Sequence, residues 1–302
     1  MASSPAKSRH DVRSGRSRAY LALAGAGSLW GTGFLLGKFL LVELDVPHMM
    51  MYRLLLACAG FVPVLLLRGP RIRVEDWRLV VTAGVFGVPL VYLIQFEGLA
   101  RTTVAHASLM VAMFPILLGV AAAVLAGERV PMTRWLLLVV SGFGALLIVS
   151  SSAASGDARG PTVIGDGLVL LSLLAGVGWV MTSKRLMTRY DPVGIGALIT
   201  LVGTIPLVVW VLSVNGLPPV HLTSRAWLTL LAQGLLATTV ATLLWNWGVS
   251  RVPMSEAGVF VNLEPVVGTL LGMIVLGDRL GWSGAAGALL IIGAAVGVTR
   301  QG

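Results

Sequence analysis

Charge is scarce in this sequence. Only 12% of its 302 residues are Asp, Glu, Lys or Arg, while 56% are apolar, and a soluble domain carries about 25% charge. An ordinary water-soluble globule is therefore excluded. Disorder is excluded too, because it needs low hydrophobicity and the mean hydropathy here is +0.89. The single cysteine, Cys58, cannot close an internal disulfide. No Cys/His group has metal-ligand spacing, so neither a metal nor another cofactor is expected. The absence of a G-x-x-x-x-G-K-[ST] phosphate loop speaks against direct ATP hydrolysis. Acidic residues are also few, 13 against 22 basic, for a formal charge of +9. Those bases sit between apolar runs, where they act as topology signals, and no nucleic-acid partner is expected.

What the chain has in quantity is long apolar runs. A bilayer core of roughly 30 Å takes about 20 apolar residues per helical crossing. Ten such runs occur, at 19–41, 46–67, 79–98, 103–126, 135–153, 165–183, 192–214, 226–248, 254–276 and 281–299. No loop between them exceeds 11 residues, which leaves no room for a soluble catalytic domain. The first run is too long for the apolar core of a signal peptide and is read as a retained helix. The expectation is an all-α polytopic membrane protein with lipid around it. With both ends inside, the inner side carries 16 Lys/Arg, the outer side 4, and Lys38 and Arg53 fall within helices. The positive-inside rule then places both termini in the cytoplasm, with the chain in the inner or plasma membrane.

Residues 96–129 and 246–279 align without a gap at an offset of 150. Identical pairs are Gly98/Gly248, Arg101/Arg251, Ala107/Ala257, Val111/Val261, Pro115/Pro265, Gly127/Gly277 and Arg129/Arg279, with Glu128/Asp278 conservative. Each half thus holds five crossings. Five is odd, so the second half enters the membrane upside down. The expected organisation is a basic cytoplasmic tail (1–18), a first repeat (19–153), an outer linker (154–164) and a second, inverted repeat (165–299). Two inverted copies can exchange conformations and open a shared cavity alternately to either side, a recurring plan for secondary transporters. Simple duplication that stabilises a bundle is the alternative.

Trp30-Gly31-Thr32-Gly33-Phe34 with Lys38 resembles the WG-x-x-F-x-x-x-K opening of the drug/metabolite transporter superfamily, EamA type. Arg53 is similar to that family's arginine in helix 2. The endings Pro115 to Glu128-Arg129 and Pro265 to Asp278-Arg279 resemble its P-x11-G-E/D-R pattern. The resemblance spans both halves. It implies a ten-helix inverted-repeat carrier for small metabolites, often amino acids, often moved outward.

Polar groups at membrane depth need a reason, since a charge at a helix centre costs about 2.5–3.5 kcal/mol. Glu264 is the most informative, mid-helix, beside Asn262 and immediately before Pro265. Pro265 cannot donate to the Val261 carbonyl, so a kink is expected there, as at Pro115. Glu264 reads either as a proton or substrate-amine site or as a group that steadies the kink. Lys38, Arg53 and Glu97 are expected together in the outer half, as a structural ion pair, as snorkelling groups or as a gate. Trp30 is placed to floor a cavity near midplane and Trp179 to form its opposite wall. Tyr92, Gln95, His106 and Asn246 are further candidates for a polar lining, each alternatively a packing or interface residue. Trp227, Trp245 and Trp247 read as headgroup anchors. Gly27/Gly31, Gly33/Gly37, Gly268/Gly272 and Gly293/Gly297 have G-x-x-x-G spacing, which lets backbones approach closely or supports a dimer. The assembly is expected to be a monomer or homodimer.

Three functions compete: a secondary carrier for a small-molecule substrate, with proton coupling as one drive; a passive channel or membrane subunit; and an intramembrane enzyme. The last lacks a nucleophile–base pair, a metal set or paired carboxylates at depth. No catalytic residue is assigned and no enzyme is expected.

Overall fold

The computed structural model describes residues 9–99, 101, 111, 113–152, 163–276 and 281–301. Among them there are helices and turns but no strand. The first half holds α1 (Arg9–Leu40), α2 (Val46–Arg68), α3 (Trp77–Val85), α4 (Val88–Leu99), α5 (Phe114–Leu125) and α6 (Met132–Ser152). The second holds α7 (Val163–Met187), α8 (Pro192–Val214), α9 (Ser224–Leu231) and α10 (Ala241–Val249), then α11 (Met254–Val261), α12 (Leu263–Leu271) and α13 (Trp282–Gln301). Eight of the described helical stretches are long and apolar enough to span a bilayer, and the shorter apolar helices Phe114–Leu125 and Met132–Leu147 stand where the fourth and fifth runs were expected. Helix α1 begins at Arg9, ten residues before the first apolar run, so part of the basic tail is helical.

Proline decides where spans break. Pro89, Pro115 and Pro265 cannot donate to the residues four before them, Val85, Val111 and Val261. Helix α3 ends at Val85 and α11 ends at Val261. Val111 is helical, Met113 is a turn, and α5 starts at Phe114. The third span is therefore two helices joined at Phe86–Gly87, where one continuous run was expected. Pro63 and Pro206, in contrast, lie inside α2 and α8 without interrupting them. Two wider stretches, Ala232–Val240 and Gly272–Leu276, have π-helical hydrogen bonding. In the first, the Thr238 and Thr239 hydroxyls also donate to the carbonyls five residues back, of Gln233 and Gly234.

Packing follows an inverted twofold relation between the halves. Helix α2 lies on α8, α5 on α11, and α6 on α13. Two further close pairs, α4 with α7 and α1 with α10, exchange with each other under the same relation. Direction is fixed at one end of the bundle. Arg16 near the start of α1 meets Glu256 at the start of α11, and Arg134 of α6 meets the same carboxylate. Thr133 reaches Gln301 at the end of α13. Both outermost described spans therefore start or finish at this end, called here the terminal face. Lys184, near the end of α7, sits there as well, on Glu128. Helix α1 thus leaves the terminal face while α7 arrives at it, which is the inversion that five spans per half require.

Small residues set the closest approach. A Cβ at Gly31 would stand 2.6 Å from the Glu264 carbonyl oxygen, and one at Gly27 would run into the Phe260 carbonyl. Such atoms essentially never come that near, so glycine is what lets α1 lie on the broken span formed by α11 and α12. The main core surrounds this contact, with Tyr20, Leu23, Trp245 and Phe260 buried.

Candidate functional site

The proline-driven break exposes the first turn of α12 to the interior of the bundle, and Glu264 stands in that turn. Around it, Trp30 and Gly33 of α1, Arg53 of α2, and Tyr92, Gln95 and Phe96 of α4 line one cavity with Glu264. Its free volume is about 20 Å³, enough for one or two waters. A Cβ at Gly33 would meet nothing within 4 Å, so the cavity gains its width where that side chain is missing.

Arg53 is 2% exposed. Its Nε donates to Thr238 Oγ1 at 2.7 Å, and its guanidinium lies 4.2 Å from the Tyr92 ring centroid. Thr238 in turn donates at 2.8 Å to the Gln233 carbonyl. That carbonyl belongs to the π stretch, so the arginine is braced on an irregular turn of the eighth span, the kind of turn that recurs at functional sites. Gln233 is fully buried. Its Nε2 donates to the Gly33 carbonyl at 3.3 Å, and its Oε1 has no partner. Glu264 is partly buried and interacts electrostatically with Arg53. Among the described residues, no group makes a hydrogen bond or ion pair with its carboxylate. The cavity is thus lined by a braced cation, a carboxylate without a hydrogen bond or ion pair among the described residues, three aromatic rings and the Gln95 amide, a set suited to holding a small solute that carries charge of both signs.

Of the residues singled out in the sequence, Trp30, Tyr92, Gln95, Arg53 and Glu264 come together here. Others do not. Asn262 is buried and donates to Ser141 Oγ at 3.0 Å, which secures the break rather than the cavity. Asn246 is buried against Gly196 of α8. Trp179 packs beside Gly87 at the break in the third span, its Nε1 buried without a partner; it does not line the cavity. Glu97 pairs with Arg101, four residues on, instead of Arg53. Pro115 and Pro265 both stand in the first turns after breaks. His106 and the side chain of Lys38 lie outside the described residues. Trp245, expected at a headgroup, is 2% exposed and tilts against Trp30 at 5.2 Å, because α10 runs on past it and turns it into the core.

Sequence reading missed Phe96, Gln233 and Thr238, and read Gly33 as a close-packing glycine, whereas it borders the cavity with nothing within 4 Å of a Cβ. Gln233 had a usable signal, an amide inside the apolar run 226–248, as Asn246 is. Phe96 had none, since one more aromatic in an apolar run looks like packing.

The EamA-like transporter family matches this chain twice, over residues 17–150 and 163–300. A protein named "Uncharacterized transporter" from Archaeoglobus fulgidus is 24% identical over 277 residues, covering 90% of this chain and 95% of its own length. "Uncharacterized transporter YetK" from Bacillus subtilis is 22% identical over 279 residues, covering 91% of this chain and 84% of its own. A crystal structure 22% identical in sequence superposes with a TM-score of 0.80, covering 95% of this chain and 98% of that one; it shares the fold.

Proposed function

Because the chain belongs to the EamA-like transporter family, and is therefore a multi-pass membrane transporter, we propose that it is a secondary carrier of small organic metabolites. It works by alternating access between its inverted repeats and exports its substrate, amino acids and amphiphilic drugs being the classes to test first. The terminal face is cytoplasmic in this reading, supported by the 16 to 4 division of Lys and Arg. The 1–18 tail then lies in the cytoplasm and 154–164 links the repeats outside.

One observation carries the proposal. Arg53 and Glu264, from different repeats, face one cavity beside a helix break without forming an ion pair with each other. Keeping a buried cation and carboxylate apart is costly. The arrangement is useful when a ligand completes it: Arg53 takes a carboxylate, Glu264 an ammonium or a proton, and Trp30 and Phe96 the apolar part. In the present conformation only water fits, so one repeat must move relative to the other to admit a solute.

The test is counterflow in proteoliposomes with a panel of labelled amino acids and amphiphilic amines. A carrier shows saturable exchange of at least one solute, lost in Arg53→Gln and Glu264→Gln. Non-saturable leakage of every solute, or retention of exchange in both variants, removes the proposal. Coupling to protons is read in the same vesicles. Accumulation driven by an imposed pH gradient in the wild type, and absent in Glu264→Gln, assigns the proton to that carboxyl.

A further inference from the structure

A second group of charges lies away from the cavity, at the terminal face. Glu256 is 1% exposed in the first turn of α11. Arg134 Nη2 approaches its Oε1 at 2.6 Å, Arg16 Nη2 lies 3.0 Å from both oxygens, and the Tyr20 hydroxyl donates to Oε2 at 2.7 Å. The Tyr20 ring stacks on Phe260 one turn further along. Beside this, Glu128 accepts from the Met254 N–H at 2.9 Å and the Ser255 N–H at 3.4 Å, and pairs with Lys184 at 3.4 Å. Lys184 also donates to the Val252 carbonyl at 3.2 Å.

Sorted by repeat, the groups divide cleanly. Tyr20, Arg134 and Glu128 belong to the first, joined by Arg16 from the tail that leads into it; Glu256, Met254 and Ser255 belong to the second, with Lys184. Every contact between those two sets joins one half to the other, and all but the Lys184–Glu128 pair converge on the first turn of the span that bears Glu264, eight residues after Glu256. A helix N-terminus has free N–H groups and positive character, and here Glu128 of the opposite repeat satisfies two of them. The repeat offset carries Arg134 onto Gly284 and Arg16 onto Asp166, so the same two-arginine clamp is not duplicated at the other end.

We infer that this group is a latch that holds the terminal face closed, and that Glu256 is its central positioning residue for transport. Opening that face requires Glu256 to leave Arg16, Arg134 and Tyr20 together while Glu128 releases Met254. Because α11 and α12 are separated only by the turn at Asn262, a swing of the latched end alters the angle at the break that presents Glu264. The inference rests on the alternating-access reading, but it is tested without any substrate.

The reporter is Ser183→Cys in a Cys58→Ser background. Ser183 is 3% exposed, its hydroxyl has no partner, and it directly precedes Lys184. A membrane-impermeant maleimide is added to inverted vesicles, with the terminal face outward. The latch predicts slow labelling in this parent, and acceleration of about tenfold or more when Glu256→Gln is added, with Arg134→Gln, which leaves Arg16 and Tyr20 in place, in between. Equal rates in parent and both variants overturn it. So does equal acceleration at native Cys58 in Glu256→Gln, since that reports general loosening. If Glu256→Gln does not fold, the Arg134→Gln comparison decides alone. Accelerated labelling without exchange of any solute in the counterflow panel leaves the latch standing and removes the carrier.

Discussion

Glu256 and Glu264 stand eight residues apart on the same broken span, and their surroundings are opposite. Glu256 is surrounded by two arginines and a tyrosine hydroxyl. Glu264 makes no hydrogen bond or ion pair with the described residues and faces a water-sized cavity. Both charges are costly to remove from water. The first is compensated inside the fold, so its removal strands its partners. The second is left for something that arrives. A buried charge by itself therefore indicates neither structure nor function; the presence or absence of its partners does.

The sharpest way to break this comparison is Glu256→Ala. Two cations would lose their acceptor at a buried position, and such losses run to about 3–5 kcal/mol. Thermal unfolding in detergent is expected to fall steeply. Glu264→Ala, which strands no hydrogen-bonded or ion-paired group among the described residues, is expected to unfold closer to the wild-type temperature. Equal destabilisation of the two variants would erase the distinction. On transport the order reverses in kind: Glu264→Gln keeps the shape and removes the charge. Losing one charged contact worth about 3 kcal/mol lowers binding about a hundredfold, read as a rise in the half-saturating solute concentration.

A smaller effect tests how the two sites are joined to α1. Gly31→Ala places a methyl against the Glu264 backbone and forces the helices apart, costing about 1–3 kcal/mol. Gly33→Ala enters open space and is expected to leave the unfolding temperature unchanged while narrowing the cavity, which weakens exchange of the larger solutes first. The mildest test is acidification. Burial pushes the Glu128 carboxyl up, but the Met254 and Ser255 N–H groups and the Lys184 ammonium outweigh it and hold it below the ordinary carboxylate range. A lowered value in the folded protein means that its stabilisation is present above the unfolded value, about 4.3. It is lost as pH falls through the folded one. Unfolding temperature against pH is expected to drop at the acid end in wild type and to be flatter there in Glu128→Gln.

Apolar length was enough to anticipate the eight described stretches that can span a bilayer, because a backbone in hydrocarbon has to satisfy its own hydrogen bonds and so forms helices. The five residues that meet at the cavity were visible for a related reason. Arg53, Glu264, Gln95, Tyr92 and Trp30 are polar, charged or large where an apolar side chain would suffice. Their partners were not visible. Glu97 and Arg53 are equally plausible neighbours from helix depth alone, yet Glu97 bonds to Arg101 on its own helix. Trp179 has an offset suggestive of Trp30's mate, yet the break at Gly87 draws it to another span. Pro89 carried a readable signal for that break, since it repeats the Pro115 and Pro265 logic, but its apolar surroundings read as one continuous helix.

What the sequence alone determined is whatever depends on the chain's own composition and spacing: the apolar spans and the two matched halves; which prolines break a span was not among them, since Pro63 and Pro206 do not. Which charges are compensated was decided only in three dimensions, since Arg16 and Arg134 reach Glu256 across 240 and 122 positions of chain and nothing local selects them. Compensation of a buried charge is a property of the space around it. That space is built by helices drawn from both repeats.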